Sequence, residues 1–386
     1  MITLEFLVRL LNGKCLYGLT NRAITFILEL FRDVLPDGAK VPPNHYEANK
    51  LTSDLGFTYQ KIHACPNDCM LYWEDTADCN ECIRCGVSRW KQNEDGKNSH
   101  VPRKVMWHFP IIPRLQRLFL SSDMAVKIRW HAEGRTIDEY MRHPADGLAW
   151  KHFDLRHGDD ITKEPRNIRL GLSCDGFNPF RQQNIKHSTW PVFLMIYNLP
   201  PWMCMKKQFS FMTVLIPGPK EPGNNIDVYL QPLISEFKLL WEKGVPTYDA
   251  SRDEVFNLHA WLLWTINDFP AYAVLSGWST KGKLACPICG KHTHYRRLRN
   301  GKKFCFMGHR RFLPHNHRYR RAHSSFDGTI EQGVAPKPMS GVEVLKELNG
   351  LNVEFGKGDS TITKRKKRRS SDADKHFNWR KRSIFF

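Results

Sequence analysis

The chain has 386 residues, 41% of them hydrophobic and 12% aromatic, which suits two or three folded domains and excludes a wholly disordered protein. Its 58 Lys+Arg against 39 Asp+Glu leave a formal net charge of +19, which favours a polyanionic partner, with nucleic acid first. No uninterrupted apolar stretch is long enough to cross a bilayer, and no basic region precedes the apolar N-terminal rhythm as in a signal peptide. We therefore expect an intracellular protein with no membrane partner, whose 11 cysteines are metal ligands before they are disulfides.

Residues 1–59 have the pattern of a helical N-terminal region. From 20 to 35 the apolar residues recur at helical spacing, with Ile24 and Leu28 on one face. Thr20 is the expected N-cap, and Pro36 stops the run.

Residues 60–100 are dominated by cysteines and lose regular periodicity, which predicts a small zinc-binding module. Cys79 and His63 are further candidates, so the choice of four ligands stays open. A set of buried free cysteines is the competing interpretation, but the acidic residues among them argue against burial. Two short-spaced pairs joined by a loop provide the tetrahedral thiolate set for structural Zn²⁺: Cys65, Cys69, Cys82 and Cys85.

After a linker with helical stretches at 101–165, residues 166–280 change to short β-rich runs. An amphipathic stripe from Leu230 to Trp241 predicts a long helix packed on the sheet. Periodicity alone leaves 255–268 open between strand and helix, and we expect a buried strand. Three strands, a helix and a fourth strand are the order in which the ribonuclease H-like fold begins. By analogy alone we therefore expect that fold, in the α+β or α/β class. The three runs predicted to form an antiparallel meander are 168–175, 190–199 and 209–216.

Residues 281–323 carry a second cysteine pair in a basic segment. A CxxC knuckle followed by two histidines fits a second Zn²⁺ site. The competing interpretation treats the histidines as surface residues that contact phosphate. The predicted ligands are Cys286, Cys289, His309 and His317, with His292, His294 and His315 as alternatives.

The same segment interleaves cations with aromatic rings, a pattern that neutralises phosphates and stacks on unpaired bases. A solvated charged face is the alternative. The predicted DNA-binding residues are Arg296, Arg297, Arg299, Lys302, Lys303, Arg310, Arg311, Arg318, Arg320 and Arg321.

Residues 324–386 are predicted to be a flexible basic tail with one short helix at 341–348, capped by Ser340 and Glu343. The run KRKKRR at 364–369 has the composition of a nuclear localisation signal, although basic tails are often only electrostatic anchors.

Two aspartates end apolar runs: Asp175 precedes Gly176, and Asp268 precedes a Phe-Pro pair. On adjacent strands, two such carboxylates would hold Mg²⁺ and a phosphate. An ordinary turn or cap residue is the alternative at each position.

Several long strings resemble, in order, the transposase encoded by plant CACTA (En/Spm-like) elements, among them KIHACPNDC, PRNIRLGLSCDGFNPF, IPGPKEPGNNIDVYLQPL and LLWTINDFPAYAVLSGWSTKGKLACPICG. The resemblance extends from about residue 40 to the end. It implies a DDE/D transposase with a ribonuclease H-like catalytic domain. In it, Asp175 is the first catalytic acid, Asp268 is the second, and Mg²⁺ or Mn²⁺ is the catalytic cofactor. It also implies that KHFNWRKRSIFF is a family segment.

The implied partners are DNA at the transposon ends and in the target, with a homo-oligomer or an element-encoded DNA-binding protein in addition. The implied location is the nucleus. The family's third acid, a glutamate, follows the segment that matches NWRKRSIFF, so the resemblance predicts a C-terminally truncated and inactive enzyme. Glu343 and Glu347 are the nearest substitutes. The alternative is a non-catalytic, zinc-containing DNA-binding or regulatory protein derived from a transposase.

Overall fold

The computed structural model describes residues 4–36, 39–53, 58–96, 98–158, 162–180, 184–351, 355–356 and 378–385. The described helices are α1 Leu4–Tyr17, α2 Asn21–Val34, α3 His45–Ser53, α4 Ile112–Phe119, α5 Ser122–Ile128, α6 Trp130–Glu133, α7 Leu148–Arg156, α8 Pro201–Cys204, α9 Ile226–Glu242, α10 Phe269–Ser276, α11 Arg318–Arg321 and α12 Gly341–Glu347. The described strands are β1 Gln60–Ala64, β2 Leu71–Tyr72, β3 Trp90–Gln92, β4 Asn98–Pro102, β5 Val105–His108, β6 Ile168–Cys174, β7 Trp190–Ile196, β8 Ser210–Ile216, β9 Val245–Asp249, β10 Glu254–Leu258, β11 Ala260–Ile266, β12 Tyr295–Arg297 and β13 Phe304–Phe306.

The N-terminal region is helical, as the sequence predicts. Thr20 Oγ1 accepts a hydrogen bond from the Ala23 N–H at 3.1 Å and caps α2. Ile24 and Leu28 are fully buried in a small cluster shared with Leu7, because the polar residues of α2 occupy the opposite face.

A seven-stranded sheet forms the centre of the molecule, in the order β11-β6-β7-β8-β5-β1-β2. β6, β7 and β8 pair antiparallel in sequence, so the predicted meander is confirmed. β11 adds parallel to the outer side of β6. Every residue of β6 except Ser173 is buried, the pattern of a strand that is covered on both faces.

The single strand predicted over 255–268 is wrong, because the chain forms two strands there. β10 pairs with β9 in a separate hairpin, and β11 joins the main sheet. His259 separates them: its N–H donates to Asn167 Oδ1 at 2.8 Å, and its carbonyl accepts from Ile168 N at 2.9 Å. These bonds tie the chain to the start of β6 and change its pairing partner.

The long helix predicted from the apolar stripe is α9. It packs against the sheet with Leu230, Leu233 and Leu240 fully buried. Its first turn also buries Asp227, at 2% exposure. Carboxylates are almost never buried to this extent unless a partner balances their charge. The partner comes from the far end of the chain and is described below.

Segments predicted as a separate module and as a linker both enter the main sheet. β1 and β2 belong to the stretch assigned to the cysteine module, and β5 belongs to the stretch assigned to the linker. Ile62 and Met106 lie in the same core as β6 and α9. The first residues of the module therefore share the core of the sheet.

The end of the chain is also packed, which corrects the predicted flexible tail for residues 378–385. Trp379 forms an isolated antiparallel bridge with Trp278, and their rings meet edge to face at 5.0 Å. The Arg380 N–H donates to the Gly277 carbonyl at 2.7 Å. Apolar rings and hydrogen-bonded backbone groups hold this basic segment in place, so its basic composition alone wrongly predicts a flexible tail. The run at 364–369 lies outside the described residues.

Candidate metal and nucleic-acid sites

The structure brings together the four cysteines predicted for the first zinc site. Their sulfur atoms all lie within 4.8 Å of one another, and Cys65 Sγ is 3.6 Å from Cys85 Sγ. All 11 cysteines of the chain are free thiols. Four close thiols without a disulfide are the donor set that tetrahedral Zn²⁺ takes in structural sites, so these residues fit zinc: Cys65, Cys69, Cys82 and Cys85.

Local hydrogen bonds pre-arrange two of these sulfurs. The Asn67 backbone N–H donates to Cys65 Sγ at 3.3 Å, and the Asn67 side chain donates to Cys85 Sγ at 3.6 Å. Burial raises the pKa of the Cys65 thiol to about 11. Burial also opposes ionisation of Cys85, but the Val87 N–H and Asn67 outweigh it and lower its pKa to about 7.

The two alternative ligands have other roles. His63 Nδ1 accepts from Arg89 Nε at 2.8 Å, and the Cys79 carbonyl accepts from Arg89 Nη1 at 3.1 Å. Arg89 therefore ties both residues to the loop around the cluster, and neither joins the set that can hold an ion.

Asp68 connects the cysteine cluster to the core of the sheet. It is fully buried between Cys65 and Cys69, and its Oδ1 accepts hydrogen bonds from Lys104 Nζ and Tyr229 Oη. Tyr229 belongs to α9 and is itself fully buried. The metal loop is thus anchored to the main helix of the core.

The structure does not assemble the second predicted zinc site. The Cys289 N–H donates to Cys286 Sγ at 3.4 Å, as in a metal knuckle, but Arg311 Nη2 donates to Cys289 Sγ at 3.1 Å. His317 caps α11, where its Nδ1 accepts from the Tyr319 N–H at 3.2 Å. Across the described residues, the four-cysteine cluster is the one group of three or more His, Cys, Asp or Glu side chains that could share an ion. A second metal site is therefore not completed by His309, His292, His294 or His315.

The two predicted acids lie at the same edge of the sheet. β6 and β11 are parallel neighbours, and Ser173 is opposite Ile266 in the last registered pair. Asp175 and Asp268 each follow two residues after their member of that pair. Because carboxyl ends of parallel strands meet at one edge, both acids follow their strands at the same edge of the sheet, and both residues are exposed.

Cys174 and Asn267 each directly precede one of the two acids and follow the last registered pair of β6 and β11. Cys174 Sγ donates to Asn267 Oδ1 at 3.8 Å. Burial, together with the carboxylates of Asp175 and Asp268, raises the pKa of the Cys174 thiol to about 12, against the opposing charge of Lys381. Both acids and one lysine therefore lie within electrostatic reach of one buried thiol.

One oxygen of each acid is already held by the backbone. Asp268 caps α10, where its Oδ1 accepts from the Ala271 N–H at 2.9 Å. Asp175 Oδ1 accepts from the Gly176 N–H at 2.7 Å. No third carboxylate joins them in a set that could share an ion, within the part of the chain that the structure covers. Glu343 instead accepts from the Ser340 N–H, completing the predicted capping box, and Glu347 accepts from Trp379 Nε1 at 3.0 Å.

The predicted DNA-binding cations fall into two groups. Arg310, Arg311 and Arg320 are buried and bind backbone carbonyls or protein side chains. For example, Arg320 donates to the carbonyls of Leu313 and Gly333 at 3.2 and 2.6 Å. These three arginines hold the segment together, because a guanidinium can satisfy several carbonyls at once. Arg318 and Arg321 are exposed on α11.

The remaining cations are all exposed on one hairpin, which we call the basic hairpin. β12 and β13 pair antiparallel, with Tyr295 opposite Phe306, and the Tyr295 and Phe304 rings meet at 5.6 Å. A two-stranded ribbon is one of the elements that enter the major groove of DNA. The cations of the basic hairpin are Arg296, Arg297, Arg299, Lys302 and Lys303.

Lys381 is a buried ion-pair partner that the sequence did not reveal. It is fully buried, its Nζ lies 2.5 Å from Asp227 Oδ1, and the Ile384 N–H donates to Asp227 Oδ2 at 3.1 Å. Burial lowers the pKa of Lys381 and raises that of Asp227. Nothing in the local sequence separates Lys381 from the other cations of the segment.

In the part of the chain that the structure describes, no helix has both the length and the apolar character needed to cross a membrane. The fold and sites define a mixed α/β protein with a cysteine cluster fit for zinc and exposed cations suited to a polyanion. The chain belongs to the transposase family tnp2, whose family model matches residues 138–351, more than half of its length. The match includes both acids and the basic hairpin, and family membership implies that the chain binds DNA. No curated protein matches the chain.

Proposed function

We propose that this protein is a DNA transposase of the CACTA type that cuts and joins DNA at the transposon ends through Asp175 and Asp268. The observation that carries the proposal is the placement of both acids two residues beyond a registered pair on adjacent parallel strands. Such an edge concentrates carboxylates where a ligand approaches the ends of the strands.

The strand order supports a ribonuclease H-like catalytic core. Numbered from β6, the first three strands form a meander, α9 follows, and β11 returns parallel beside the first strand. The acids then follow the first and the fourth strand of this unit. β5 and β1 extend the sheet beyond β8, as an addition to that core.

The residues fit a divalent metal ion by the chemistry of their donors. Asp175 and Asp268 would hold Mg²⁺ or Mn²⁺, hard cations that prefer carboxylate oxygens. A bound ion supplies charge neutralisation at the phosphate and a more acidic attacking hydroxyl. The Ala271 and Gly176 N–H groups orient the two carboxylates, so that little reorganisation is needed when DNA arrives.

The other sites have supporting roles in this proposal. Zn²⁺ on the four cysteines stabilises the loop that Asp68 anchors to Tyr229. The basic hairpin contacts phosphates of the transposon end or of the target DNA. We propose a nuclear location, as the run at 364–369 suggests, and a homo-oligomer or an element-encoded DNA-binding protein as the protein partner.

A second candidate is a non-catalytic DNA-binding or regulatory protein derived from a transposase. The observation in its favour is that Asp175 and Asp268 have no third carboxylate beside them among the described residues. A catalytic pair of metal ions needs more ligands than two aspartates provide.

Metal binding and strand cleavage distinguish the two candidates. We expect the protein to bind Mn²⁺, measured by electron paramagnetic resonance, and Asp175→Asn or Asp268→Asn to weaken that binding by at least about 10-fold, the loss that even outer-shell changes cause. Asp123→Asn is the matched control, because Asp123 is 71% exposed on α5 and pairs only locally with Lys127.

The same proteins are then incubated with labelled transposon-end DNA and Mg²⁺ or Mn²⁺. Nicking by the unchanged chain that both Asp variants abolish, with DNA binding retained, supports the transposase. DNA binding without metal binding or nicking supports the regulatory protein instead. Nicking that survives in both Asp variants would remove these residues from the active site.

A further inference from the structure

Two exposed phenylalanines adjoin the two acids in sequence, and a third lies on the same loop as one of them. Phe177 is 49% exposed and lies two residues after Asp175, whereas Phe269 is 51% exposed and directly follows Asp268. Since consecutive Cα atoms are about 3.8 Å apart, each of these rings starts within about 8 Å of an acid's Cα. Phe180, on the same loop as Phe177, is 46% exposed. Two exposed rings that adjoin a pair of acids in this way point to a surface that another molecule covers.

Phe177 belongs to a hydrogen-bonded extension of the β6–β7 pair. The Phe177 N–H donates to the Thr189 carbonyl at 2.9 Å, and the Thr189 N–H donates back at 2.8 Å. The Ser188 N–H donates to the Pro219 carbonyl at 2.9 Å. Phe180 packs edge to face on His187 at 5.1 Å. Phe177 therefore lies on a backbone-paired extension of the sheet, and Phe180 packs on a residue next to that extension.

Gly176 keeps this support tight against the acid. A Cβ at Gly176 would lie 2.6 Å from Trp190 Nε1 and 2.8 Å from Ser188 Oγ. Those two atoms are themselves hydrogen bonded at 2.9 Å. The turn between Asp175 and Phe177 thus has room for glycine alone, which keeps the backbone between the acid and the ring close to Trp190 and Ser188.

We propose that Phe177, Phe180 and Phe269 form a stacking platform for unpaired DNA bases, next to the phosphate that the two acids engage. This inference rests on the proposed function, because that function brings a phosphate to the acid pair. A strand held there presents its neighbouring bases to whatever surface adjoins the acids, and rings stack on any base. Lys186 is exposed on the same loop and adds a cation for the strand.

The chemistry favours DNA over another occupant. A purely apolar partner would leave Asp175 and Asp268 beside its surface without compensation, whereas a nucleotide combines a face that stacks with a phosphate that binds metal. The platform selects strand ends or distorted duplexes, since a base inside a duplex is stacked on both faces by its neighbours. The substrate class is therefore DNA with unpaired nucleotides at the cleavage position.

The test measures affinity for two probes by fluorescence anisotropy with Ca²⁺ in place of Mg²⁺. One probe is a blunt duplex, and the other is the same duplex with unpaired nucleotides at one end. We expect the unchanged chain to prefer the second probe by about 5- to 150-fold for each stacked base. Replacing all three phenylalanines by alanine should abolish the preference and leave blunt-duplex affinity unchanged. Phe26→Ala is the matched control, since Phe26 is 59% exposed on α2.

Two further arms isolate stacking from folding and from general apolar contact. Phe→Leu changes at the three positions keep apolar surface without a ring face, and they should lose the preference as the alanine variant does. A probe whose unpaired nucleotides lack bases should bind the unchanged chain no better than the blunt duplex. Retention of the preference in the leucine variant, or on the abasic probe, would overturn the platform.

The outcomes also separate the platform from the function on which it rests. If the unchanged chain binds both probes equally and depends on the basic hairpin for both, the platform is wrong and DNA binding stands. If it binds neither probe, both ideas fail. If the ring changes convert an oligomer to a monomer in sedimentation without changing DNA preference, the surface is a self-association site, which also overturns the proposal.

Discussion

Replacing Lys381 by methionine should detach the C-terminal segment 378–385 from the core. Methionine keeps the length of the side chain but leaves the carboxylate of Asp227 buried, at 3% side-chain exposure, with the Ile384 N–H as its remaining hydrogen-bond donor among the described residues. Removing one member of a buried ion pair costs about 3–5 kcal/mol. The measured loss is limited by the docking free energy of the segment, because local opening releases the carboxylate into water.

Hydrogen exchange measures this opening directly. The Arg380 and Ile384 N–H groups, bonded to Gly277 and Asp227, should exchange about 10²- to 10³-fold faster in Lys381→Met, at 1.4 kcal/mol for each factor of ten. The effect should be smaller at pH 5 than at pH 8. Burial raises the pKa of Asp227, so the unpaired docked carboxyl binds a proton more tightly than the free one, and docking weakens as the pH rises.

The double variant Asp227→Leu with Lys381→Met is the control, because it removes both charges and should recover most of the protection. Unchanged exchange at both N–H groups in the single variant, or equal loss in the single and double variants, would refute the argument that the ion pair holds the segment.

Three further predictions follow from the sites. Cys82→Ser should reduce bound zinc from about one equivalent to less than half, measured by metal analysis of the purified chain. Cys79→Ser should leave the zinc content unchanged. Equal loss of zinc in both variants would contradict the ligand set. Replacing all cations of the basic hairpin by alanine should weaken DNA binding and reduce its salt dependence, with little effect on the free energy of unfolding. Arg320→Ala should instead lower the free energy of unfolding, measured by urea titration. The reverse pattern would refute the division into exposed DNA-binding cations and buried structural arginines. Asp249→Asn should destabilise the protein more at pH 7 than at pH 3. Although burial opposes the shift, hydrogen bonds from Ser251 and Arg166 lower the pKa of Asp249, so the carboxylate stabilises the fold above its unfolded pKa and loses this effect as the pH falls through its folded pKa. A pH-independent effect in urea titrations would contradict this.

The sequence predicts those elements whose signals are local. Thr20 and Ser340 mark helix starts with side chains that act within one turn, and both caps are present. The apolar stripe of α9 and the short cysteine spacings are likewise complete within a few residues of sequence. In these places one segment contains the whole physical cause, so the sequence alone suffices.

Long-range pairing is what the sequence could not supply. β1 and β5 are short, and β1 is exposed at Gln60 and Lys61. Their sequences therefore lack the alternation of apolar and polar residues that would predict strands of the main sheet. Arg320 and Lys381 resemble surface cations in sequence, but each is buried because its partners arrive from distant positions. The acids Asp175 and Asp268 resemble turn residues until the parallel register of β6 and β11 sets them together.

The ion pair between Asp227 and Lys381 also has a consequence for the order in which the protein is made. The partners are 154 residues apart, which is about 8–30 s of translation at ~5–20 residues per second. Throughout that interval α9 has emerged with a carboxylate that has no counter-charge. The nascent chain must therefore keep this end of the helix hydrated or protonated, and closure of the core around Asp227 waits for residues 378–385 to leave the ribosome.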